Sequence, residues 1–342
     1  MMNDVFEHLD DLVVVAGKLD RPHTFTLTAI VRNEMHFLPV FLSHYRALGV
    51  DRFIVIDDQS DDGTLAYLAK QPDVVVLKSN WRFGHKLTLE EAGCREFAGL
   101  RMMSIWRNLL LRKYCMNVWS LHLDVDEFLD LPAGMSIGEF TARLNGTDIN
   151  AVWSVMLDMY PAQVDELLAM ANDTIVDFNR PWYFDGRRHM RLRRDKVPRV
   201  IYAGVRARLL NAHDLNPKAD WFDRKIAPRF GISPKNFNNI RKPALLRWHD
   251  DAGVHRVHSV GAKASETLLL PIRHYKFNGS IAQRIKRATD TGCYADDSSE
   301  YVALEQLLIK MKQENKPFRG RNSRRYEGFE DFKQTGNALG FD

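Results

Sequence analysis

The first half of the chain alternates between apolar runs of strand length and segments in which apolar residues recur at helical spacing. The strand-like runs lie at residues 24–31, 53–57, 74–77 and 118–123, and the helical segments at about 37–48, 63–70 and 90–114. Such an alternation is typical of a parallel sheet covered by helices. We therefore predict an α/β fold with a mostly parallel sheet and helices on both of its faces.

The second half of the chain has a looser pattern. Strands are predicted at residues 151–157 and 268–274, strand-like pieces near 197–203 and 206–210, and helices at 281–289 and 301–313. The stretch 158–268 is irregular, aromatic and basic, and residues 319–325 are predicted to be a basic, poorly ordered segment. Because no repeat and no flexible linker interrupts the chain, we expect one domain with a variable second half.

Composition limits the class of protein. The chain has 342 residues, 45% of them hydrophobic, which is enough for a large core. A net charge of +4 gives by itself no reason to expect a nucleic acid or another polyanionic partner. Three widely spaced cysteines suit a reducing compartment. The acidic N-terminus does not fit a secretory signal, and no apolar run approaches the roughly 18 residues of a membrane span, so we expect a cytoplasmic location.

Polar clusters follow three of the predicted strands. Arg32, Asn33 and Glu34 come after the first strand, a loop from Asp57 to Gly63 follows the second, and the turn from Asp124 to Glu127 follows the fourth. Ligands of parallel sheets bind beyond the carboxyl ends of strands. The three clusters therefore predict one binding rim.

The third cluster places Asp124, Asp126 and Glu127 within four residues, with apolar residues on both sides. Crowded carboxylates repel one another unless a cation or hydrogen-bond donors compensate them. Mg²⁺ and Mn²⁺ prefer oxygen ligands, and Mg²⁺ is usually shared between one or two carboxylates and a substrate diphosphate. The turn therefore predicts a Mn²⁺ or Mg²⁺ site. A solvated acidic turn and a pair of acid/base carboxylates are the alternatives.

The second cluster superficially matches the start of a calcium loop, but Ala69 stands where such a loop needs a bidentate glutamate. A polar turn that caps the next helix is one interpretation. The other is that Asp57 or Asp58 accepts hydrogen bonds from a nucleotide base or ribose.

His274 ends the last predicted strand and could complete a metal shell of mixed oxygen and nitrogen ligands. A structural or surface role is the ordinary alternative for a single histidine. His249, His255 and His258 also cluster, but no cysteine or second histidine pair has zinc-finger spacing, so we do not expect zinc.

The stretch from Arg187 to Arg199 holds seven Arg and Lys residues. It is either a solvated basic face or a functional surface. The functional interpretations are a phosphate clamp, a site for an acidic acceptor, and peripheral contact with the anionic inner face of a membrane. Nucleic-acid binding is disfavoured because no recognition motif accompanies the run.

These motifs, in this order, resemble the GT-A glycosyltransferases, in particular the glycosyltransferase family 2-like group. The resemblance covers residues 24–160 well and His274 weakly. The matched pieces are residues 29–34 (AIVRNE), 41–45 (FLSHY), 49–51 (GVD), 56–64 (IDDQSDDGT) and 123–129 (LDVDEFL).

The resemblance implies a role for each matched residue. Residues that would bind the nucleotide sugar are Arg32, Asn33, Glu34, Asp57, Asp58, Arg107, Asn108 and Asp124, with Asp58 the best single choice for the base. Asp124, Asp126 and His274 would hold Mn²⁺ or Mg²⁺. The catalytic base of the family is an acid on the acceptor side. Asp158 is the first candidate for it, ahead of Asp214 and Asp220.

The implied fold is GT-A, Rossmann-like, with an irregular C-terminal acceptor region. Its expected parts are an N-terminal extension (1–23), a nucleotide-sugar-binding half (24–160), an acceptor region (161–280), and C-terminal helices with a basic tail (281–342). The acceptor region would end in the strand that carries the last metal ligand. The implied reaction is transfer of a sugar, with inversion, from a nucleotide diphosphate sugar to a glycan or glycolipid hydroxyl, as in surface polysaccharide or glycolipid synthesis.

Two other functions compete with this one. A sugar nucleotidyltransferase would be expected to carry a glycine-rich phosphate loop after the first strand, where this chain has Arg32-Asn33-Glu34-Met35. An inactive carbohydrate-binding protein of the same fold is disfavoured because both motif acids are retained.

Overall fold

The structure is a computed structural model that describes residues 2–194, 196–216, 221–222, 226, 239–249, 261–292 and 298–341. The strands are β1 (Val13–Ala16), β2 (Thr26–Val31), β3 (Arg52–Asp57), β4 (Val74–Lys78), β5 (Trp119–His122), β6 (Glu127–Leu129), β7 (Ala151–Asp158), β8 (Tyr183–Asp185), β9 (Met190–Arg193), β10 (Lys196–Val200), β11 (Arg241–Arg247), β12 (Ala264–His274) and β13 (Ser323–Arg325).

The α-helices are α1 (Met2–Leu9), α2 (Leu38–Ala47), α3 (Thr64–Leu68), α4 (Leu89–Ala92), α5 (Met102–Tyr114), α6 (Ile137–Ala142), α7 (Val164–Ala169), α8 (Gly204–Ala212), α9 (Ile281–Thr291), α10 (Ser299–Gln313) and α11 (Phe329–Gln334). None of the helices in the described part of the chain is long and apolar enough to cross a membrane.

The central sheet has the strand order β1-β4-β3-β2-β5-β11-β7-β12-β6. β2 pairs in parallel with β3 and β5, and β3 pairs in parallel with β4. β1, β11 and β6 pair antiparallel with β4, β5 and β12. The predicted class is confirmed: the chain is mixed α/β, with a large, mostly parallel central sheet flanked by helices.

The chain forms two compact units. Unit 1 comprises Met1–Val125, Gly134–Trp153 and Pro243–Ser265, and unit 2 comprises Asp126–Ala133, Ser154–Lys242 and Glu266–Asp342. The domain boundaries expected from the sequence stay a prediction.

In unit 1, the parallel strands bury both of their faces. Every residue of β2 and β3 is buried, which explains why these strands are almost continuously apolar in sequence. Ile30, Ile54 and Val75 from three neighbouring strands belong to one apolar cluster with Ile105 and Trp106 of α5. This packing fixes the carboxyl ends of β2 and β3, where the polar loops begin.

Unit 2 is built around aromatic side chains. The ring of Tyr275 lies 4.7 Å from that of Phe178 and 4.8 Å from that of Trp182, between ring centroids. Arg273 is buried among these rings and donates two hydrogen bonds of 2.8 Å to Asp130. A buried cation is tolerated when it is both paired and stacked on aromatic faces.

Two predicted elements differ in the structure. Residues 206–210, predicted as strand-like, lie in helix α8, because a short apolar run does not by itself distinguish a strand from a buried helix. The long helix predicted at 90–114 is interrupted. Helix α4 ends at Ala92 and is capped by Gly93, whose φ of 66° is left-handed, and α5 begins only at Met102.

The segment predicted to be poorly ordered contains a strand. β13 pairs antiparallel with β8, and the hydroxyls of Ser323 and Tyr160 lie 2.7 Å apart. Its basic residues therefore stand on a short strand whose backbone is paired. The sequence pattern also missed β1, β6, β8, β9 and β11, each of seven residues or fewer.

Candidate active site

In unit 1, the loop after β2 and the loop after β3 are tied together through Asn33. The backbone N–H of Asn33 donates to Oγ of Ser60 over 3.0 Å. Its side chain exchanges two hydrogen bonds with Asp61, donating over 2.7 Å and accepting from the Asp61 N–H over 2.9 Å. Asn33 has a φ of 57°, a left-handed conformation that asparagine tolerates better than most residues. Asn33 is therefore a loop-positioning residue in this structure.

Glu34 and Met35 continue this connection through their backbones. The N–H of Glu34 donates to Oγ1 of Thr64 over 3.0 Å, and the N–H of Met35 donates to Asp62 over 3.1 Å. Asp62 also accepts from the N–H of Thr64. The carboxylate of Asp62 thus binds backbone N–H groups and that of Asp61 binds the side-chain amide of Asn33, which supports the polar-turn interpretation of these two acids.

Asp57 and Asp58 differ in their surroundings. Asp57 is 1% exposed, one of its oxygens accepts from the N–H of Ser60 over 3.3 Å, and Oδ1 has no hydrogen-bond partner. Asp58 instead pairs with two arginines, 3.0 Å from Nε of Arg82 and 3.5 Å from Nη1 of Arg32. A buried acceptor without a partner is costly, so Oδ1 of Asp57 is the atom that a ligand donor would satisfy.

Arg107 is a second buried polar side chain in unit 1 that has hydrogen-bond donors without a partner. It is 2% exposed on α5, and one terminal nitrogen donates to Asp124 over 3.1 Å. Its Nε and Nη1 have no hydrogen-bond partner. The Asp124 side chain is 42% exposed, so this carboxylate is both paired and accessible. The amide of Asn108 donates to the helix carbonyl of Ser104 over 2.7 Å, which is a structural role.

In unit 2, strand β12 brings His274 to Asp126. The N–H of Tyr275 donates to the backbone carbonyl of Asp126 over 2.9 Å, which holds the turn against the end of the strand. Nε2 of His274 then lies 3.7 Å from Oδ2 of Asp126. Nη1 of Arg284, on α9, lies 2.5 Å from the same oxygen.

Asp158 stands on the other side of the His274 ring. Its Oδ1 is 2.6 Å from Nδ1 of His274, and Arg206 binds both of its oxygens over 2.7 and 3.1 Å. Burial alone would raise the pKa of the Asp158 carboxyl, but the charge of Arg206 and the hydrogen bond from His274 hold that pKa well below its ordinary value. A buried carboxylate engaged in this way makes a poor proton acceptor. The geometry favours a positioning role for Asp158 over the base role expected from the sequence.

Glu127, the third acid of the turn, is neutralised inside unit 2. Its carboxylate forms an ion pair with Lys242, and both side chains are 3% exposed. Because removal of either partner would leave a buried charge, this pair fixes the backbone that follows Asp126. Glu127 is therefore a structural member of the acidic motif.

The spacing of Asp126 and His274 is that of two ligands of one divalent cation, although Nη1 of Arg284 already binds Oδ2 of Asp126. Two ligands that each lie about 2.1 Å from one cation are roughly 3–4 Å apart, and their 3.7 Å separation falls in this interval. A histidine that binds metal usually donates its other N–H to a carboxylate, as Nδ1 can to Asp158. Within the described residues, no group of three or more His, Cys, Asp or Glu side chains has the arrangement of a metal site.

The sequence did not point to the cations that surround these acids. They are Arg82 in unit 1 and Arg206, Lys242 and Arg284 in unit 2. Their only sequence signal is positive charge, which the chain carries at 48 Lys and Arg positions. Asp214 occupies the turn after α8 with a φ of 57°, whereas Asp220, His255 and His258 lie outside the described residues.

Comparison with known proteins gives a weak sequence similarity. No protein-family model matches the chain. A glycosyltransferase family 92 protein of Ricinus communis is 24% identical over 120 residues, which is 34% of this chain and 19% of that protein. The chain thus matches about a fifth of the length of this relative.

Among solved structures, the chain is similar to UDP-glucose pyrophosphorylase from Acinetobacter baumannii, at 10% identity and a TM-score of 0.24 over 43% of this chain and 59% of that one. The UTP-bound enzyme from the same organism gives 9% identity and a TM-score of 0.26 over 91% of both chains. TM-scores this low do not establish a shared fold.

Proposed function

We propose that this protein is a metal-dependent glycosyltransferase that moves a sugar from a nucleotide diphosphate sugar to an acceptor hydroxyl. The observation that carries the proposal is the pairing of Asp126 with His274, oriented by Asp158. Support also comes from the resemblance of residues 24–160 to family 2-like glycosyltransferases and from the name of the Ricinus communis relative.

In this proposal, unit 1 binds the nucleotide. Oδ1 of Asp57 accepts a hydrogen bond from the base or the ribose, because it is a buried acceptor with no protein donor. Nε and Nη1 of Arg107 donate hydrogen bonds to anionic oxygens of the nucleotide diphosphate sugar. Asp58 keeps Arg32 and Arg82 in place and acts on the nucleotide through them.

Asp126 and His274 are the proposed ligands of Mn²⁺ or Mg²⁺ in unit 2, and Asp124 stays a ligand candidate from the sequence. Such a cation would offset the negative charge that develops on the leaving diphosphate. Arg284 shares Oδ2 of Asp126 and supplies a fixed positive charge beside it. Asp158 holds the His274 ring so that Nε2 faces Asp126, and Arg206 keeps Asp158 ionised.

The acceptor in this proposal is a glycan or glycolipid hydroxyl, attacked in line so that the anomeric configuration inverts. A carboxylate base would take the proton of that hydroxyl. Asp158 is not our choice for this base, because His274 and Arg206 already occupy its oxygens. Asp214 and Asp220 stay as candidates from the sequence.

A thermal-shift screen tests the proposal. The protein is heated with UDP-, GDP-, CDP- and dTDP-sugars, each with and without Mn²⁺. Binding to the folded state raises the free energy of unfolding by about 2.7 kcal/mol at a ligand concentration near 100 times Kd. We expect one nucleotide class to stabilise the protein, and to do so more strongly with Mn²⁺. No stabilisation by any of the four would contradict the proposal.

The runner-up functions predict different results. A sugar nucleotidyltransferase would be stabilised by a nucleoside triphosphate and would release pyrophosphate when given a sugar phosphate. An active transferase would hydrolyse the nucleotide sugar slowly in the absence of an acceptor, whereas an inactive carbohydrate-binding protein would not hydrolyse it at all.

A further inference from the structure

The basic run forms an antiparallel hairpin in unit 2. β9 and β10 pair with Lys196 opposite Arg193 and Arg199 opposite Arg191. The register shifts between these two pairs, because three steps along β10 face two steps along β9. Regular pairing would place Pro198 opposite Arg191, so the irregularity brings a second arginine there.

The two faces of the hairpin differ in burial. Met190 and Pro198 are buried on the inner face, where the Pro198 carbonyl accepts from Nη1 of Arg241 over 3.2 Å. Side chains alternate between the faces of a strand. The outer side therefore carries Arg191, Arg193, Val197 and Arg199, all of them exposed, with Ile201 beside them. We call this set of five residues the arginine face.

Five of the seven cations of the run fall into two groups in the structure. Arg187 stacks on Tyr202, 5.0 Å from its ring centroid, and Nε of Arg188 donates to the Met190 carbonyl over 2.9 Å. These two arginines stabilise the fold around the hairpin. The three arginines of the arginine face line, with Ile201, an open concavity of about 650 Å³. Among the described residues, no carboxylate forms an ion pair with any of these three.

Like charges directly opposite each other on a sheet are unfavourable. Arg191 and Arg199 are such a pair, with Arg193 two residues along the same face. An anionic surface would offset this repulsion. Val197, which is 42% exposed, and Ile201 add apolar surface next to the arginines. Binding of a free phosphate ion would not require this apolar surface. Cations interspersed with apolar side chains match the surface of an anionic bilayer.

We propose that the arginine face docks the protein on a membrane surface rich in anionic phospholipid headgroups. The phosphates bind Arg191, Arg193 and Arg199, and Val197 enters the headgroup layer. This inference does not rest on the proposed glycosyltransferase activity, because it uses only the hairpin.

Sedimentation with vesicles, without nucleotide or metal, tests the inference. We expect the protein to sediment with vesicles of equal parts phosphatidylglycerol and phosphatidylcholine and to stay in solution with pure phosphatidylcholine. Each basic side chain near an anionic surface contributes roughly fivefold to binding, so Arg191→Gln/Arg199→Gln should bind about 25-fold more weakly. Arg95→Gln/Arg143→Gln is the matched control. It removes two exposed arginines of unit 1 and therefore has the same net charge as the test variant.

Several results would overturn the inference. They are absence of sedimentation with the anionic vesicles, equal sedimentation with both kinds of vesicle, and equal weakening in the control variant. Val197→Ser should also reduce binding to the vesicles. If it binds like the wild type while inorganic pyrophosphate displaces the protein from the vesicles, the site is one for free phosphates and not for a membrane.

Discussion

Nδ1 of His274 lies 2.6 Å from Oδ1 of Asp158, while Nε2 of the same ring lies 3.7 Å from Oδ2 of Asp126. One imidazole thus connects a buried carboxylate, held by Arg206, to the acid of the Asp-x-Asp turn. The hydrogen bond at Nδ1 fixes the ring orientation and leaves Nε2 directed at Asp126. This relationship turns a motif acid and a distant histidine into a candidate cation site.

The first prediction concerns Asp158 as the residue that orients His274. Asp158→Asn should lower the affinity for Mn²⁺ about 10- to 100-fold, which is the usual effect of removing a partner of a metal-binding histidine. Calorimetric titration of Mn²⁺ into the variant measures this. Asp165→Asn is the control, because its side chain is 69% exposed on α7. Unchanged Mn²⁺ affinity in a folded Asp158→Asn protein would remove the positioning role.

The second prediction concerns the pH dependence of stability. Although burial opposes it, the Arg206 charge keeps the pKa of Asp158 in the folded protein below its ordinary value. Asp158 therefore stabilises the folded state fully above the unfolded-state pKa of about 4, and this contribution is lost as the pH falls from there toward the folded-state pKa. The difference in the free energy of unfolding between the wild type and Asp158→Asn should shrink below about pH 4. Urea unfolding at a series of pH values measures it, and a constant difference would contradict the assignment.

The third prediction separates the two neighbouring aspartates of unit 1. Asp57→Ala should weaken binding of the free nucleoside diphosphate by roughly 1–3 kcal/mol, because it removes the buried acceptor to which the proposed function assigns the direct contact. Asp58→Ala should weaken binding less, since Asp58 acts through Arg32 and Arg82. Calorimetry on both variants gives the order, and the reverse order would restore Asp58 as the direct contact.

The parts of this molecule that the sequence predicts share a local signal. β2 and β3 are continuous apolar runs bounded by polar turns, and the predicted boundaries differ from the observed ones by two residues or fewer. The joint role of Asp126 and His274 in metal binding is implied by a resemblance and by their positions at strand ends, and it stays a prediction.

The cations around the acids have no such local signal. Arg206, Lys242 and Arg284 lie 48, 115 and 158 residues from the carboxylates they bind. Packing over those separations decides which acids are neutralised, so Glu127 and Asp158 could not be recognised as paired residues. Arg206 is further obscured because the sequence predicts a strand for its segment, in which its side-chain direction would differ from that in helix α8.

The fourth prediction concerns the structural role of Glu127. Glu127→Gln should destabilise the protein by about 3–5 kcal/mol, because it leaves the ammonium of Lys242 buried without its carboxylate. The double variant Glu127→Leu/Lys242→Met should recover most of that loss. Denaturant unfolding of Glu127→Leu, Lys242→Met and the double variant measures the coupling. If the effects of these two single substitutions simply add in the double variant, the two side chains are not an energetic pair.

The central claim is that the protein transfers sugar from a nucleotide donor with the help of Asp126. Its most direct test is the release of nucleoside diphosphate from the donor that stabilises the protein, measured with Mn²⁺ for the wild type, Asp126→Ala and Asp165→Asn. With Mn²⁺ we predict release by the wild type and by Asp165→Asn, and no release by a folded Asp126→Ala. When the metal is chelated, we predict no release by any of the three proteins. Release by Asp126→Ala at the wild-type rate, or formation of pyrophosphate and not nucleoside diphosphate, would contradict the account.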